Sequence, residues 1–245
     1  MKSGPIVAVI PARYGSTRFP GKPLAPILGK PLLQWVWEGA RQSHKINRVL
    51  VATDDDRIAH VAEKFGAEVK KTSPDHPSGT DRLAEATSGI EAEWILNIQG
   101  DEPLIQGSLL DEWIGGFDPS FGMVTAATPL RHPSDLEEPG IVKVSIDRQS
   151  RALGFQRKVP MERSKDWLHQ HVGLYAYTPS TLRHFVSLRP APGEKRENLE
   201  QLRALENGIA IQVLPLTFLF VGVDTPGDVP RAERALANRA TSVSK

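Results

Sequence analysis

The sequence predicts an α/β fold in which helices flank a mostly parallel sheet. Two observations lead to this prediction. Short apolar runs such as IVAVI are typical of buried strands, and the segments that follow them, such as PLLQWVWEGARQS, carry apolar residues at helical spacing. The two kinds of segment alternate through the first half of the chain, which is the pattern of βαβ units with right-handed crossovers.

In the first half, four strands alternate with three helices. Pro31 suits the first turn of the first helix, and Gly66 ends the second. The predicted strands are 6–10, 48–53, 67–71 and 94–99, and the predicted helices are 31–43, 54–66 and 79–90. In a parallel sheet, ligands bind beyond the carboxyl ends of the strands. This places the loops 11–24, 53–56 and 99–103 at one edge.

The second half is less regular. A turn, DRQS, separates two of its strands, and the charged segment 157–170 is predicted to be an inserted, mobile stretch. The predicted strands are 122–130, 141–147, 151–157, 169–179, 209–216 and 219–224, and the predicted helices are 179–188, 197–208 and 225–240. We expect one domain over residues 1–245, with roughly 130–178 as an inserted subregion.

Composition excludes several classes of protein. Thirty Lys and Arg against 29 Asp and Glu give a net charge of +1, which argues against a general nucleic-acid binder. The chain has no cysteine, so disulfides, zinc–thiolate sites and thiol nucleophiles are ruled out. No apolar run reaches the ~18 residues of a membrane span, and the N-terminal run is too short for a signal peptide. We therefore expect a cytoplasmic protein without membrane or nucleic-acid partners.

The stretch PARYGSTRFPGKPL follows the first strand and concentrates positive charge and turn-forming residues. Arg13, Arg18 and Lys22 supply cationic donors, Ser16 and Thr17 supply hydroxyls, and Gly15 and Gly21 permit tight turns. These groups suit a polyphosphate at a loop that leads towards a helix. Neither the G-x-G-x-x-G nor the Walker pattern is present, because five residues separate the two glycines and Pro23 follows the lysine. The loop is either a phosphate site of another design or a solvated turn.

Acidic residues mark a second feature of the same edge. Asp101 follows a buried strand and is a hard oxygen ligand of the kind that Mg²⁺ prefers. Asp224, predicted at another strand end, is either its partner or the N-cap of the closing helix. The run 54–56 is expected to cap the helix that follows it, and Glu102 is expected to be peripheral.

Six stretches in order resemble sugar-nucleotide cytidylyltransferases, and more narrowly the 3-deoxy-D-manno-octulosonate (Kdo) cytidylyltransferase family. They are IPARYGSTRFPGKPL, VATDD, DHPSGTDRLAEA, NIQGDEPLI, EQLRALENG and GVDTPGD. The resemblance implies a Rossmann-like fold of the nucleotide-diphospho-sugar transferase type with a smaller β-rich dimerisation subregion in the second half. It also implies a homodimer, Mg²⁺ as cofactor, and the joining of CTP to a Kdo-type acid for lipopolysaccharide biosynthesis.

The resemblance also assigns residues. It makes Arg13, Lys22, Asp101 and Asp224 catalytic, with the two aspartates as the Mg²⁺ ligands. The implied nucleotide contacts are Ala12, Arg13, Ser16, Lys22, Ser78, Gly79, Thr80, Arg82 and Gln99, and the implied sugar contacts are Gln99, Arg157, His171, Tyr175, Glu200 and Gln201. Each has a structural alternative: the stretch 75–82 is also an ordinary helix N-terminus, His171 and Tyr175 share one strand face, and Glu200 and Arg203 are spaced for a helix-surface pair.

Departures from the family pattern cluster on the sugar side. The chain has ALGFQR where the family typically has ALYFSR, a shortened VPMER segment, and Gln170 before the histidine. An 8-amino analogue of Kdo is therefore an alternative acceptor. A nucleotide-sugar-dependent glycosyltransferase is a further alternative, but the chain has Gly-Asp-Glu-Pro in place of an Asp-x-Asp motif.

Overall fold

The structure, a computed structural model, describes residues 4–160, 167–218 and 220–243, with side chains up to residue 239. Its contacts group the chain into two compact units. The first comprises residues 1–112 and 219–245, and the second comprises residues 113–218. The predicted subregion 130–178 lies in the second unit, and its dimerisation role stays a prediction.

The first unit is built on four parallel strands in the order β6–β1–β4–β5. These are β1 (Ile6–Pro11), β4 (Arg48–Thr53), β5 (Glu68–Lys71) and β6 (Trp94–Ile98). Three helices follow the strands as predicted, and a short hairpin precedes the first: α1 (Leu32–Arg41), α2 (Asp56–Lys64), α3 (Gly79–Ala86), β2 (Pro26–Ile27) and β3 (Lys30–Pro31). A helix α4 (Gly107–Gly115) and the closing helix α8 (Val229–Val243) complete the elements around it.

Burial explains why β1, β4 and β6 are mostly apolar, whereas the edge strand β5 is not. Ala8, Val9 and Ile10 of β1 are fully buried, as are Leu50 and Val51 of β4. A parallel sheet is covered on both faces by its crossover helices, so its strands are apolar runs and do not alternate. Of the apolar residues of α1 that the spacing singled out, Leu32, Leu33, Val36 and Ala40 are fully buried, and Trp37 is half-buried. The α/β class with a parallel sheet flanked by helices is confirmed.

The second unit has a mainly antiparallel sheet. Its strand β10 (Leu168–Tyr177) pairs with β7 (Met123–Pro129) and with β8 (Lys143–Ile146), and β8 pairs with β9 (Ala152–Gln156). Strand β11 (Ile211–Pro215) runs parallel to β7. The predicted DRQS turn joins β8 to β9, with Ser150 at φ 60°. Three helices complete the unit: α5 (Pro179–Ser187), α6 (Pro192–Glu197) and α7 (Gln201–Glu206).

Two of the predicted elements were wrong. Residues 220–224 of the predicted strand 219–224 are irregular and then turn at Thr225 into a short 3₁₀ helix, Pro226–Asp228. The helix predicted over 197–208 forms only over α7 (Gln201–Glu206), because Asn198 takes a left-handed conformation at φ 53° that ends the preceding helix α6. Asparagine is one of the few residues that adopts this conformation at low cost.

Other differences are smaller. Helix α4 and the hairpin β2–β3 were not predicted, since glycines bound the first and only two residues form each strand of the second. Pro31 precedes α1 as its N-cap and ends β3, so it is not in the first turn. In the charged segment 157–170, residues 161–166 lie outside the described part of the chain, and the mobility of the segment stays a prediction. No described helix has the length and apolar character needed to cross a membrane.

Candidate active site

A cavity of about 410 Å³ opens in the first unit where β1 and β6 end. Its walls come from the loop after β1, the segment that enters α3, the turn after β6 and Asp224. Ten of the residues that the sequence singled out line it: Ala12, Arg13, Ser16, Lys22, Ser78, Gly79, Arg82, Gln99, Asp101 and Asp224. Thr80 does not line it and is buried within α3. The sheet-edge argument therefore placed the loops 11–24 and 99–103 at this cavity correctly, whereas no residue of the loop 53–56 lines it.

Lys22 joins the two predicted metal ligands. Its Nζ lies 2.8 Å from Asp101 Oδ2 and 3.4 Å from Asp224 Oδ1. Arg18 NH2 approaches the same Asp224 oxygen at 3.1 Å. The two carboxylates thus face a common cation, although 123 residues separate them in sequence (224 − 101). An anionic phosphate would compete with the carboxylates for these side chains, and a divalent cation would compete with Lys22 for the carboxylates.

The direction of Lys22 follows from the backbone just before it. Gly21 has φ 71°, a conformation that L side chains rarely adopt, and its N–H donates to Tyr14 O at 2.9 Å. The chain then enters a 3₁₀ turn, Lys22–Leu24, in which Pro23 occupies an early position that needs no N–H donor. Gly21 and Pro23 therefore set where the lysine leaves the loop, as the turn chemistry of the sequence indicated.

Asp224 is not a helix cap. The 3₁₀ helix Pro226–Asp228 is capped by Thr225, and Asp228 Oδ2 accepts from the N–H groups of Asp224 and Thr225 at 3.1 and 2.9 Å. The side chain of Asp224 faces Arg18 and Lys22 instead. Its position in an irregular segment, and not at a strand end, corrects the sequence analysis, but the residue lines the predicted cavity.

Glu102 is more involved than the sequence suggested. Burial raises its pKa to about 8, and the adjacent Asp101 carboxylate and then Asp224 add to the shift. Its Oε2 is buried and has no hydrogen-bond partner among the described atoms. At neutral pH the Glu102 carboxyl group is therefore largely a neutral acid. The signal in the sequence was the apolar stretch PLI that follows it, which predicts that the turn packs inward.

The segment entering α3 is an ordinary capped helix start, as one alternative held. Ser78 Oγ accepts from the N–H groups of Thr80 and Asp81 at 3.1 and 3.2 Å. The Arg82 guanidinium bonds Thr72 Oγ1 and lies 2.8 Å from Asp54 Oδ1, which holds it buried at the cavity wall. Capping does not exclude nucleotide contact, and that role stays a prediction.

The three consecutive aspartates do three different things. Asp55 alone caps α2, accepting from Arg57 N and Ile58 N. Asp54 pairs with Arg82, and Asp56 pairs with Lys71 Nζ at 2.6 Å. Asp55 therefore caps the helix and Asp56 lies in its first turn, where an acidic side chain complements the helix dipole, as the sequence indicated, whereas Asp54 faces Arg82 instead.

In the second unit, His171 and Tyr175 lie together in a water-poor cluster. His171 Nε2 is 3.0 Å from Thr125 Oγ1, and the imidazole packs against the rings of Phe155 and Tyr175 at centroid distances of 5.2 and 5.5 Å. Burial lowers the pKa of His171 to about 3, so the ring is neutral. Burial, and then the charge of Glu200, raises the pKa of Tyr175 well above its usual range.

The other predicted sugar contacts of the second unit, Arg157, Glu200 and Gln201, each make different contacts. The Arg157 guanidinium donates to three backbone carbonyls, those of Glu197, Pro139 and Asn198, at 2.6, 3.0 and 3.1 Å. Glu200 Oε1 is 4.0 Å from Arg203, whose guanidinium binds Glu194 through two oxygens at closer range. Gln201 is buried in α7. The predicted Glu200–Arg203 pair therefore forms only as a loose contact.

Comparison with known proteins decides the family. The sequence profile of the family described as cytidylyltransferase matches residues 7–211. The chain is 47% identical to the 3-deoxy-manno-octulosonate cytidylyltransferase of Syntrophotalea carbinolica over 94% of its own length and 98% of that protein. It is 48% identical to the one of Pseudomonas syringae pv. tomato over 93% and 96%. The chain belongs to the 3-deoxy-manno-octulosonate cytidylyltransferase family.

Solved structures agree with this assignment. The structure of CMP:2-keto-3-deoxy-manno-octonic acid synthetase complexed with CTP matches with a TM-score of 0.90 and 38% identity, covering 96% of this chain and 99% of that one. A cytidylyltransferase from Leptospira borgpetersenii matches with a TM-score of 0.66 at 20% identity over 95% and 87%, which shows the shared fold alone. The chain is thus a nucleotidyltransferase, and the resemblance seen in the sequence is confirmed.

In this cytidylyltransferase, two further residues of the first unit line the same cavity as the predicted site residues. Ser16 and Arg13 lie on the same cavity wall as Arg18, which the sequence analysis named in the loop but did not select as a site residue. His76 also lines the cavity and was missed; its imidazole bonds the Glu85 carboxylate. The motif DHPSGTDR contained His76, so its position beside Ser78 was the available signal.

Proposed function

We propose that this enzyme joins CTP to 3-deoxy-manno-octulosonic acid, giving the CMP-sugar and pyrophosphate. The single observation that carries the proposal is the cavity in which Lys22 stands between Asp101 and Asp224, with Arg13 and Arg18 on the same walls. Such a site offers positive donors to a triphosphate and hard oxygen ligands to the cation that accompanies it. The acceptor named for the relatives at 47% and 48% identity supports Kdo as the sugar.

In the proposed reaction, the anomeric 2-hydroxyl of the sugar attacks the α-phosphorus of CTP in line. The bond from the α-phosphorus to the bridging oxygen breaks, pyrophosphate leaves with that electron pair, and the proton of the attacking hydroxyl passes to solvent water. Arg13 and Lys22 lie on the cavity wall and would neutralise the charge that builds on the leaving group. Phosphoryl transfer of this kind depends mainly on alignment and electrostatic stabilisation, so no side chain needs to form a covalent bond.

Mg²⁺ is part of the proposal, and the donor set fits it. Asp101 and Asp224 supply two carboxylates facing one cation, and Mg²⁺ is commonly held by one or two carboxylates together with substrate phosphates. Within the described residues, no cluster of three or more acidic, histidine or cysteine side chains offers a dedicated metal cage. Bound there, Mg²⁺ would supply Lewis-acid polarisation of the phosphate and of the attacking hydroxyl.

In the second unit, the His171 cluster has the chemistry to recognise hydroxyl groups. A neutral imidazole has one donor and one acceptor nitrogen, and the Tyr175 phenol can both donate and accept. The groups carry no charge at neutral pH, so they would orient a polyol without paying for the desolvation of an ion. The carboxylate of the sugar acid would need a cation, and the Arg157 donors now held by backbone carbonyls are the proposed source.

The cellular setting is also a proposal. A role in lipopolysaccharide biosynthesis and a cytoplasmic location follow from the family, in which CTP and the free sugar acid are the substrates. A homodimer built through the second unit is proposed on the same ground. Light scattering coupled to size exclusion tests it: a mass of about 27 kDa, that of one chain, would contradict the dimer.

One assay tests the reaction. Pyrophosphate release is measured for the purified enzyme with each of the four NTPs and with Kdo, its 8-amino analogue and sialic acid, in Mg²⁺. We expect release only with CTP and a Kdo-type acid, and fastest with Kdo itself. Absence of release with CTP and every sugar acid would overturn the proposal. Preference for the 8-amino acid would keep the chemistry and change the acceptor, assigning the departures at Gly154, Gln156 and Gln170 to sugar choice.

A further inference from the structure

We propose that Tyr14 and Arg57 form a clamp that positions the phosphate loop, residues 11–24, and thereby sets Lys22. Neither side chain lines the cavity, so both would act through the loop and not on the substrate. The inference rests on the proposed function, because it concerns how that site is held ready for CTP.

The clamp begins with an arginine that is itself fixed. Arg57 Nε and NH2 bind the two carboxylate oxygens of Asp55 at 3.0 and 2.6 Å. This pair lowers the pKa of Asp55 and raises the pKa of Arg57, so both stay charged. Asp55 also caps α2 through its side chain. A planar guanidinium held by two parallel hydrogen bonds has a defined orientation, although Arg57 is exposed.

That orientation places the guanidinium on an aromatic ring. Arg57 Cζ lies 3.3 Å from the centroid of the Tyr14 ring, which is close contact for a cation over a π face. Tyr14 belongs to the phosphate loop, directly after Arg13. The first turn of α2 thus contacts the phosphate loop through the stacked side chains of Arg57 and Tyr14. This contact holds the loop in addition to the loop's own backbone hydrogen bonds.

The Tyr14 ring also packs against Gly21. A Cβ added at Gly21 would meet three atoms of the Tyr14 ring, Cε2, Cζ and Oη, at 3.1 to 3.3 Å. The Gly21 N–H also donates to the Tyr14 carbonyl. Tyr14 therefore covers the residue whose left-handed conformation directs the chain into Lys22. Displacing the ring would release the turn, and with it the ammonium that lies between Asp101 and Asp224.

The test combines kinetics with hydrogen exchange on Arg57→Ala, Tyr14→Leu and Tyr14→Phe. The matched control is Arg41→Ala, which removes another guanidinium from an aromatic ring, that of Trp37, outside the phosphate loop. For Arg57→Ala and Tyr14→Leu we expect the KM for CTP to rise about two- to tenfold, the range that loss of a cation–π contact produces. The KM for the sugar acid and the melting temperature should change little. Tyr14→Phe keeps the ring and should retain the wild-type KM for CTP within about twofold.

Hydrogen exchange is measured on the protein alone, so it reads the clamp whatever the substrates are. Peptides covering residues 14–24 should exchange faster in Arg57→Ala and Tyr14→Leu, while peptides covering β6 should not change. Because the two residues act in one contact, the double variant should resemble each single one. If Arg57→Ala fails to fold, Arg57→Lys, which keeps the charge but loses the fork to Asp55, takes its place.

The outcomes separate the two claims. If the wild-type enzyme releases no pyrophosphate from CTP and Kdo, the proposed function fails, and the exchange data alone decide on the clamp. If the wild-type enzyme is active but the variants keep both the KM for CTP and the exchange of residues 14–24, the clamp is overturned. Uniformly faster exchange along the chain with an unchanged KM would also overturn it, because the contact would then serve general stability.

Discussion

The charged cavity of the first unit and the His171 cluster of the second show two ways of building polar sites. In the cavity, the side chain of Lys22 contacts those of Asp101 and Asp224, and all three are partly open to solvent. In the cluster, His171 and Tyr175 are neutral because loss of water shifts the pKa of each towards its uncharged form. A charged substrate group can exchange places with the ion pairs of the first. The His171 cluster offers neutral hydrogen-bonding groups in a fixed arrangement that suits hydroxyl groups.

The difference shows how each site should fail. Removing a charge from the cavity leaves the fold supported by the rest of the sheet, but it removes a group proposed to touch the reacting phosphates. Changing protonation in the cluster places a charge in a water-poor environment, which costs stability before it affects chemistry. We therefore expect the cavity to respond in turnover and affinity and the cluster to respond in stability.

The largest effect is expected for Asp101→Asn. It keeps the shape of the side chain but removes the charge proposed for Mg²⁺, so pyrophosphate release should fall by about 10² to 10³-fold or more. The control is Asp56→Asn, which changes an exposed aspartate paired with Lys71 outside the cavity. Far-ultraviolet circular dichroism should show both variants folded. Turnover of Asp101→Asn near the wild-type rate would remove the proposed metal role.

The cluster should reveal itself in the pH dependence of unfolding. The pKa of His171 is about 3 in the folded protein and near 6.5 when unfolded, so its stabilising contribution is complete above pH ~6.5. As the pH falls below 6.5, the unfolded chain binds a proton at this site that the folded chain does not, which lowers stability by about 1.4 kcal/mol per pH unit. Glu102, whose raised pKa makes the folded chain bind the extra proton over the same pH range, opposes this slope in the wild type. Denaturant titrations of the wild type and of a variant without the imidazole, between pH 7 and pH 5, therefore isolate the contribution of His171 as the difference between the two slopes.

His171→Gln removes the imidazole and should remove that contribution of about one proton from the slope, although Thr125 Oγ1 loses one of its hydrogen-bond partners and the variant is less stable at pH 7. His60→Gln is the control, because His60 is exposed on α2. Tyr175 and Glu200 face the same cluster, and Tyr175 stays neutral over this pH range. An identical slope in the wild type and in His171→Gln would show that the imidazole is not buried as described.

Lys22→Ala should have an intermediate effect on affinity. Without the Lys22 ammonium, Asp101 and Asp224 lose the cation between them, and a bound phosphate loses one cationic donor. We expect the KM for CTP to rise about tenfold, the effect of losing a contact worth ~1.4 kcal/mol. Lys70→Ala, which changes an exposed lysine near Glu68, serves as the control. Initial rates across a range of CTP concentrations give the answer, and an unchanged KM would remove Lys22 from the nucleotide site.

The smallest expected effect is on α3. Ser78→Ala removes the cap that accepts from Thr80 N and Asp81 N and should lower the free energy of unfolding by about 1 kcal/mol. Ser88→Ala, past the end of the same helix, should change it by less. Ser78 is thus a cavity residue that is expected to contribute measurably to stability, whereas Asp101 is expected to affect turnover. Equal stability of the two variants would mean that the cap contributes nothing.

The alternation of strands and helices, the loops 11–24 and 99–103 at the sheet edge and the position of the cavity were accessible from the sequence, since buried parallel strands and turn residues leave local patterns. The elements that were wrong depend on context. FVGVD has the composition of a strand but meets Asp101 through one backbone bond, from Val223 N. ENLEQLRALENG has helical spacing but is interrupted by Asn198. Glu102 was missed because its pKa depends on packing that only the folded chain provides.

The run of three aspartates has a consequence for the tolerance of this loop to length changes. Surface loops usually accept an inserted or deleted residue at small cost. Here each of the three identical side chains has its own partner, with Asp54 on Arg82, Asp55 on Arg57 and the helix start, and Asp56 on Lys71. A substitution would break one of these contacts, whereas a single-residue insertion between β4 and the run would reassign all of them together. This loop should therefore vary in residue type before it varies in length.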